Sequence, residues 1–210
     1  MNYVTSLIIL FACVFPGYGQ VIKPNEEERK ALKERLETVF MKDQIFRRMH
    51  KDVEEEYGPE SKEVAYFWEV VEQQDKVLEK EIVAILEKYG WLGISQVDRL
   101  ANTTIWAVLQ HGSVATKEKY APLLKASVLK KESQPVHYAR LVDRMLINSG
   151  KPQLYGTQFE YDSAGKGTFF PVEEPEFINQ RRNELGLIGI QEFAKKYGLN
   201  WTITQKTSKL

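Results

Sequence analysis

Cysteine is nearly absent from this chain. Cys13 is the only one among 210 residues, and it sits in an apolar N-terminal segment. A chain without that segment holds no disulfide, no thiol nucleophile and no cysteine-based metal site. The short motifs of metalloprotease, nucleotide and hydrolase sites are also missing. There is no HExxH, no P-loop, no GxGxxG and no GxSxG elbow, and no two histidines stand four residues apart. An excess of one charge is lacking too. Lys plus Arg and Asp plus Glu are 29 each, so the formal net charge is zero. That excludes wholesale attraction to nucleic acid or to an anionic membrane surface. No internal repeat or low-complexity tract is present. The one long apolar run, Val4 to Phe15, is short of the ~20 residues that a spanning helix needs.

That run is followed by Pro16 and by small residues at Gly17 and Gly19. The layout is that of a signal peptide over residues 1–19, with Gln20 as the new first residue. No Lys or Arg precedes the run, which departs from the usual pattern. The expectation is an exported protein, periplasmic or extracellular, with no stable membrane span after cleavage. Leu10-Phe11-Ala12-Cys13 faintly resembles a lipoprotein box, so a lipid anchor on Cys13 is the alternative. Export without disulfides fits a bacterial source.

Beyond the leader the apolar spacing is helical. Asn25, with Glu28 three residues later, caps a first helix whose Leu32, Leu36, Val39, Phe46, Met49 and Val53 keep a three-to-four spacing. Tyr57-Gly58-Pro59 breaks it. Ser61 caps a second helix that carries Val64, Phe67, Trp68, Val71, Leu78, Ile82 and Ile85 to a stop at Gly90. Residues 20–89 thus read as a long helical hairpin, with Trp68 and Trp106 most simply in the core. Three more helices follow: from Ser95 to Gln110, from Thr116 to Lys131, and from Gln134 to Asn148. From Gln153 the period becomes two, so Gln153, Tyr155, Thr157, Phe159 and Tyr161 share one face of a strand. A turn at residues 162–167 and a return strand at Thr168-Phe169-Phe170 complete a β-hairpin, and Gly156 marks a bulge or a close backbone approach. Short helices from Pro175 and around Ile190 to Tyr197 close the unit. Residues 90–198 read as a helical domain with a β-hairpin, compact with 20–89, and 199–210 as a flexible tail. The fold class is mainly α.

Three clusters can carry chemistry. His111 ends the third helix after Gln110, where an imidazole either caps the last carbonyls or serves as an acid or base. Asp143-Arg144 ends the fifth helix, close to Gln153, Tyr155, Thr157 and Gln158. An arginine fork beside amides suits a small polar or anionic ligand. The same residues can equally brace the hairpin to the helix. On the short helix after Pro175, one of Arg181 and Arg182 faces inward and the other is solvated. No metal site is expected, and the sequence names no cofactor.

Trp91-Leu92-Gly93-Ile94-Ser95, Gln110-His111, Asp143-Arg144, the stretch from Gly150 to Gln158 that ends YGTQ, Glu174-Pro175-Glu176 and Arg181-Arg182 stand in an order that resembles a bacterial domain family of unknown function. The resemblance spans roughly residues 88–198, and YGTQ is its most specific part. It implies an architecture and a polar cluster, but no reaction. Members often place an acidic residue soon after the histidine. This chain has Gly112-Ser113 there, so a carboxylate partner for His111 has to come from elsewhere, with Asp143 as one source.

Two functions remain. In the first, an exported helical domain holds a small polar ligand through Gln110, Arg144, Gln153, Tyr155, Thr157, Gln158 and Arg181, with His111 and Asp143 as the pair for hydrolysis or group transfer. In the second, the chain is an interaction module whose long hairpin docks a protein partner or dimerises.

Overall fold

Asn25 opens the first helix through a reciprocal cap. Its Oδ1 accepts from the Glu28 N–H at 2.9 Å, and Glu28 Oε2 accepts from the Asn25 N–H at 3.0 Å. The helix, α1, runs Glu26–Tyr57 and ends at Gly58, whose φ is +84°. Ser61 Oγ accepts from Val64 N–H at 3.2 Å and starts α2, Lys62–Tyr89. The computed structural model describes residues 21–162 and 164–206; the expected leader and Cys13 lie outside them. No helix among the described residues is long and apolar enough to cross a membrane.

The next helix, α3 (Ile94–His111), begins one residue before Ser95. Gly93 is its cap, with its N–H donating to Gln96 Oε1 at 2.9 Å. The Ser95 N–H goes instead to Glu132 Oε2 at 2.8 Å. Asp98 interrupts the helix after its first turn with φ +67°. α4 (Val114–Leu129) follows the Ser113 cap and begins two residues upstream of Thr116, and α5 spans Pro135–Asn148. α3 packs on α1, α2, α4 and α5. Leu36, Ile82, Leu86, Ile105, Leu109, Tyr120, Leu124 and Leu141 fill the space between them at no more than 0% exposure. Each fully buried aliphatic side chain contributes about 2 kcal/mol of transfer free energy. Trp106 packs against this core, as its spacing predicts. Trp68 does not: it is 38% exposed and meets Phe67 and His50 on the outside of the hairpin.

The β-hairpin is present but shorter than its period suggests. β1 is Phe159–Tyr161 and pairs antiparallel with β2, Gly167–Phe169, with Phe159 opposite Phe169. Residues 154–158 are not strand. The N–H groups of Leu154, Tyr155 and Thr157 turn toward a side chain on α5 rather than toward a neighbouring strand, and Gly156 bends the chain with φ +66°. Gln153 alone bridges, in parallel, to Val172. A 3-10 turn at Pro175–Phe177, then α6 (Ile178–Glu184) and α7 (Ile190–Lys196), complete the order. Ile178, Ile190 and Phe193 form a second core with Phe159, Phe169, Tyr197 and Trp201. The segment read as a loose tail is tied to this unit as far as Lys206. Lys206 N–H donates to Glu176 O at 2.7 Å, and Gln205 Nε2 to Pro175 O at 3.0 Å.

Gly156 is where the backbone passes closest to the second core. A methyl there would stand 2.8 Å from Ile190 Cδ1 and 2.9 Å from Ile178 Cδ1. Gly150 has a similar φ of +70° with nothing within 4 Å. Gly150→Ala is expected to cost about 1 kcal/mol, from the left-handed backbone alone. Gly156→Ala adds overpacking and is expected to cost about 2–4 kcal/mol. Urea unfolding of the two variants checks the difference; equal midpoints would contradict the close approach.

Candidate functional site

α5 places Asp143 wholly inside, at 0% exposure. Its two oxygens accept four hydrogen bonds. Oδ1 takes the N–H of Leu154 at 2.8 Å and of Tyr155 at 2.9 Å; Oδ2 takes the N–H of Thr157 at 2.9 Å and its hydroxyl at 2.8 Å. Burial pushes the Asp143 pKa up, against the pull of these donors. The loop is then closed on itself by Gln153, also fully buried. Gln153 Nε2 donates to Gln158 O at 2.8 Å and Phe170 O at 2.9 Å, and its Oε1 accepts from Gln158 N–H at 2.8 Å. From the other side Arg181 Nε donates to Leu154 O at 2.9 Å and its second nitrogen to Glu173 O. Arg182, the inward member of the pair at 2% exposure, donates to Ile188 O at 2.7 Å and to Tyr155 O. Asp143, Gln153 and Arg181 therefore spend their polar groups on backbone. Tyr155 lies half-buried against Tyr138, and burial pushes its phenol up to about 12.

The loop so held forms one wall of a cavity of about 280 Å³, which Gln110, Arg144, Thr157 and Gln158 line with Trp106 and Arg140. A second cavity, of about 540 Å³, adjoins it and shares Arg140 and Thr157. Arg99, Arg182 and Lys196 stand around the second cavity, and Leu187, Ile188 and Phe193 supply apolar wall. No Asp or Glu lines either one. Among the described residues the Arg140 guanidinium donates only to Tyr197 Oη, at 3.2 Å. Arg99, Arg144 and Lys196 form no hydrogen bond or ion pair among the described residues. Burial brings the pKa of Arg182, 2% exposed, down to about 10, which marks it as a desolvated cation; the pKa of Arg144 is lowered as well, although that side chain keeps access to solvent. Beside the smaller cavity, Trp106 Nε1 and Gln110 Oε1 have no hydrogen-bond partner. Leaving such groups unsatisfied costs about 1–3 kcal/mol each.

His111 is not paired with Asp143. Its Nδ1 meets Asp43 Oδ1 at 3.0 Å, because α1 lies along α3 and brings Asp43, 1% exposed, to the helix end. Asp143 has its oxygens filled by the loop and has none to spare. Burial works to raise the Asp43 pKa, but His111 and Arg47 outweigh it and hold the carboxyl below its ordinary value. Arg47 also grips Asp75 through both oxygens, at 2.9 and 2.7 Å. Asp43, Asp75 and His111 each offer a ligand atom within 4.8 Å of the others, an arrangement of metal-binding type that the sequence did not suggest. Arg47 already supplies the positive charge between the two carboxylates, so an ion would have to displace it. The cleft that His111 lines shares no residue with the two cavities above.

Sequence reasoning thus reached Gln110, Arg144, Thr157 and Gln158, but missed Arg99, Arg140 and Lys196 as a set. These three stand on separate helices, so no local pattern brings them together. Asp43 and Asp75 were hidden as ordinary charges on amphipathic helices.

The chain belongs to a family of unknown function, DUF6624, which matches residues 32–203. The match reaches further toward the N-terminus than the motif resemblance and takes in most of α1 and all of α2. No curated protein and no solved structure matches the chain.

His137 makes the α3–α5 seam sensitive to pH. Its ring stacks on Trp106 with centroids 4.1 Å apart and planes 3° off parallel, and it is 5% exposed. Burial, then Arg140 and Arg99, lower its pKa from 6.5 to about 4. As pH falls below 6.5, the unfolded chain takes up a proton that the folded one refuses until about 4. Stability is therefore lost as pH drops through this window, by about 1 kcal/mol per unit and about 3 kcal/mol in all. His137→Phe keeps a ring against Trp106 without the titration, so its stability measured by urea unfolding is expected to fall less steeply over that window. An unchanged slope would contradict a neutral, buried His137.

Proposed function

We propose that this is an exported protein that binds a small anionic ligand, a carboxylate or a phosphate ester, in the paired cavity between α3, α5 and the α6–α7 segment. One observation carries the reading: five cations, Arg99, Arg140, Arg144, Arg182 and Lys196, line two adjoining cavities that no carboxylate lines. Like charges gathered around one opening repel one another, Arg182 is buried among them, and an anion of the right size relieves that repulsion. The volumes suit a small molecule. The apolar wall of the larger cavity favours a ligand with an uncharged body beside its anionic group.

The reading is one of binding. Hydrolysis or group transfer by His111 would need the ligand to reach a cleft with no wall in common with this one. Export is supported by the layout of residues 1–19.

The test is a thermal-shift and calorimetric comparison of inorganic phosphate, succinate and glycerol at matched ionic strength. A ligand at a hundred times its dissociation constant stabilises the folded state by about 2.7 kcal/mol. An anion is expected to stabilise and glycerol not to. Arg144→Gln and Arg140→Gln are expected to lose at least about tenfold in affinity, which is about 1.4 kcal/mol, while the ligand-free melting temperature of Arg144→Gln stays put. No stabilisation by either anion, or binding indifferent to both substitutions, would contradict the site. Intact mass of the chain recovered after bacterial export is expected to start at Gln20; a retained leader would count against export.

A further inference from the structure

The outer face of α1 carries large apolar side chains on three consecutive turns. Met41, Ile45 and Met49 are 59%, 50% and 46% exposed. Single exposed hydrophobics are common, but a stripe at i, i+4 and i+8 is a continuous surface. The helix buries Leu32, Leu36, Val39 and Asp43 and nothing beyond them. Its C-terminal half, from Gln44 to Tyr57, therefore has α2 on one side and an open face on the other.

The charges beside the stripe are ordered. Lys42 and Arg48 precede Asp52 and Glu56, and all four are exposed. None forms an ion pair among the described residues, although Arg48 and Asp52 stand four apart. A basic half followed by an acidic half, around an apolar centre, is complementary to itself when reversed. In an antiparallel pairing that sets Ile45 against Met49 of a second copy, the same register sets Met41 against Val53. It also sets Lys42 against Asp52, and twofold symmetry repeats each pair. A parallel pairing would instead set Lys42 on Lys42 and Asp52 on Asp52. The acidic half also disfavours an anionic membrane surface as occupant.

We propose that this face of α1 is the contact between two copies of the chain, antiparallel and twofold, with Ile45 and Met49 at its centre and Lys42–Asp52 pairs at its flanks. The closed symmetry follows from a patch that matches itself. This interface is independent of the anion pocket, which lies on other elements.

Sedimentation velocity of the chain from Gln20 onward, from dilute to concentrated solution, tests it. The expected result is a concentration-dependent species of twice the chain mass. Ile45→Asp is expected to leave a monomer with unchanged helicity, since the residue is exposed. Lys42→Glu is expected to weaken the dimer by about tenfold, and the double variant Lys42→Glu with Asp52→Lys to restore it. A chain that stays monomeric throughout would overturn the proposal. So would a dimer indifferent to Ile45→Asp, or a charge swap that fails to rescue.

Discussion

The carboxylate of Asp143 sets the course of the chain between α5 and β1. A buried carboxylate costs several kcal/mol unless it is fully hydrogen-bonded. Here the three backbone N–H groups and one hydroxyl that satisfy it all come from residues 154–157. Once those donors are aimed at one point, the segment cannot lie flat as a strand. It wraps the carboxylate, Gly156 takes the left-handed bend, and the backbone comes within reach of Ile178 and Ile190. Gln153 then closes the loop, and Arg181 and Arg182 collect the carbonyls that face away from Asp143. The second core and the first are joined through this knot.

The electrostatics of the neighbourhood follow from the same choice. No carboxylate lines the cavities, and Asp143, behind the loop, is used internally, so it offers the cations around them no partner. Arg182 feels Asp143, but its donors go to carbonyls. Among the described residues Arg99, Arg144 and Lys196 have no such claim on them, and Arg140 gives a donor to Tyr197 Oη. The proposed pocket is thus a by-product of the knot: Thr157 gives its polar groups to Asp143 and its position to the wall, and Arg140 links the two chambers.

The helices were legible because each has its own punctuation. Asn25, Ser61, Gly58 and Gly90 act locally, and the amphipathic spacing of α1 and α2 shows which side is buried, except at Met49 and Trp68, which keep the spacing but stay exposed. The YGTQ segment was legible in position but not in form. Alternation of polar and apolar residues predicts a strand, while a partner carboxylate eleven to fourteen residues upstream decides otherwise, and no local rule reveals that partner. Asp143 was picked out beside the right loop but with an oxygen free for His111. In the structure the loop takes every lone pair, and His111 turns to Asp43, 68 residues away in sequence. Pairing across such a distance depends on how α1 lies on α3. The cationic set was illegible for the same reason, because its members share a cavity but not a helix face.

The most direct test of this account is amide hydrogen exchange at Leu154, Tyr155 and Thr157, followed residue by residue by NMR in the native chain and in Asp143→Asn. If the carboxylate organises the loop, these three amides exchange only through the same opening as the α5 amides. In the variant, where the new NH₂ group faces donors, they lose that protection while α1 and α2 keep theirs. If they exchange fast in the native chain, or stay protected in Asp143→Asn, the loop is held by something other than Asp143 and the account fails at its centre.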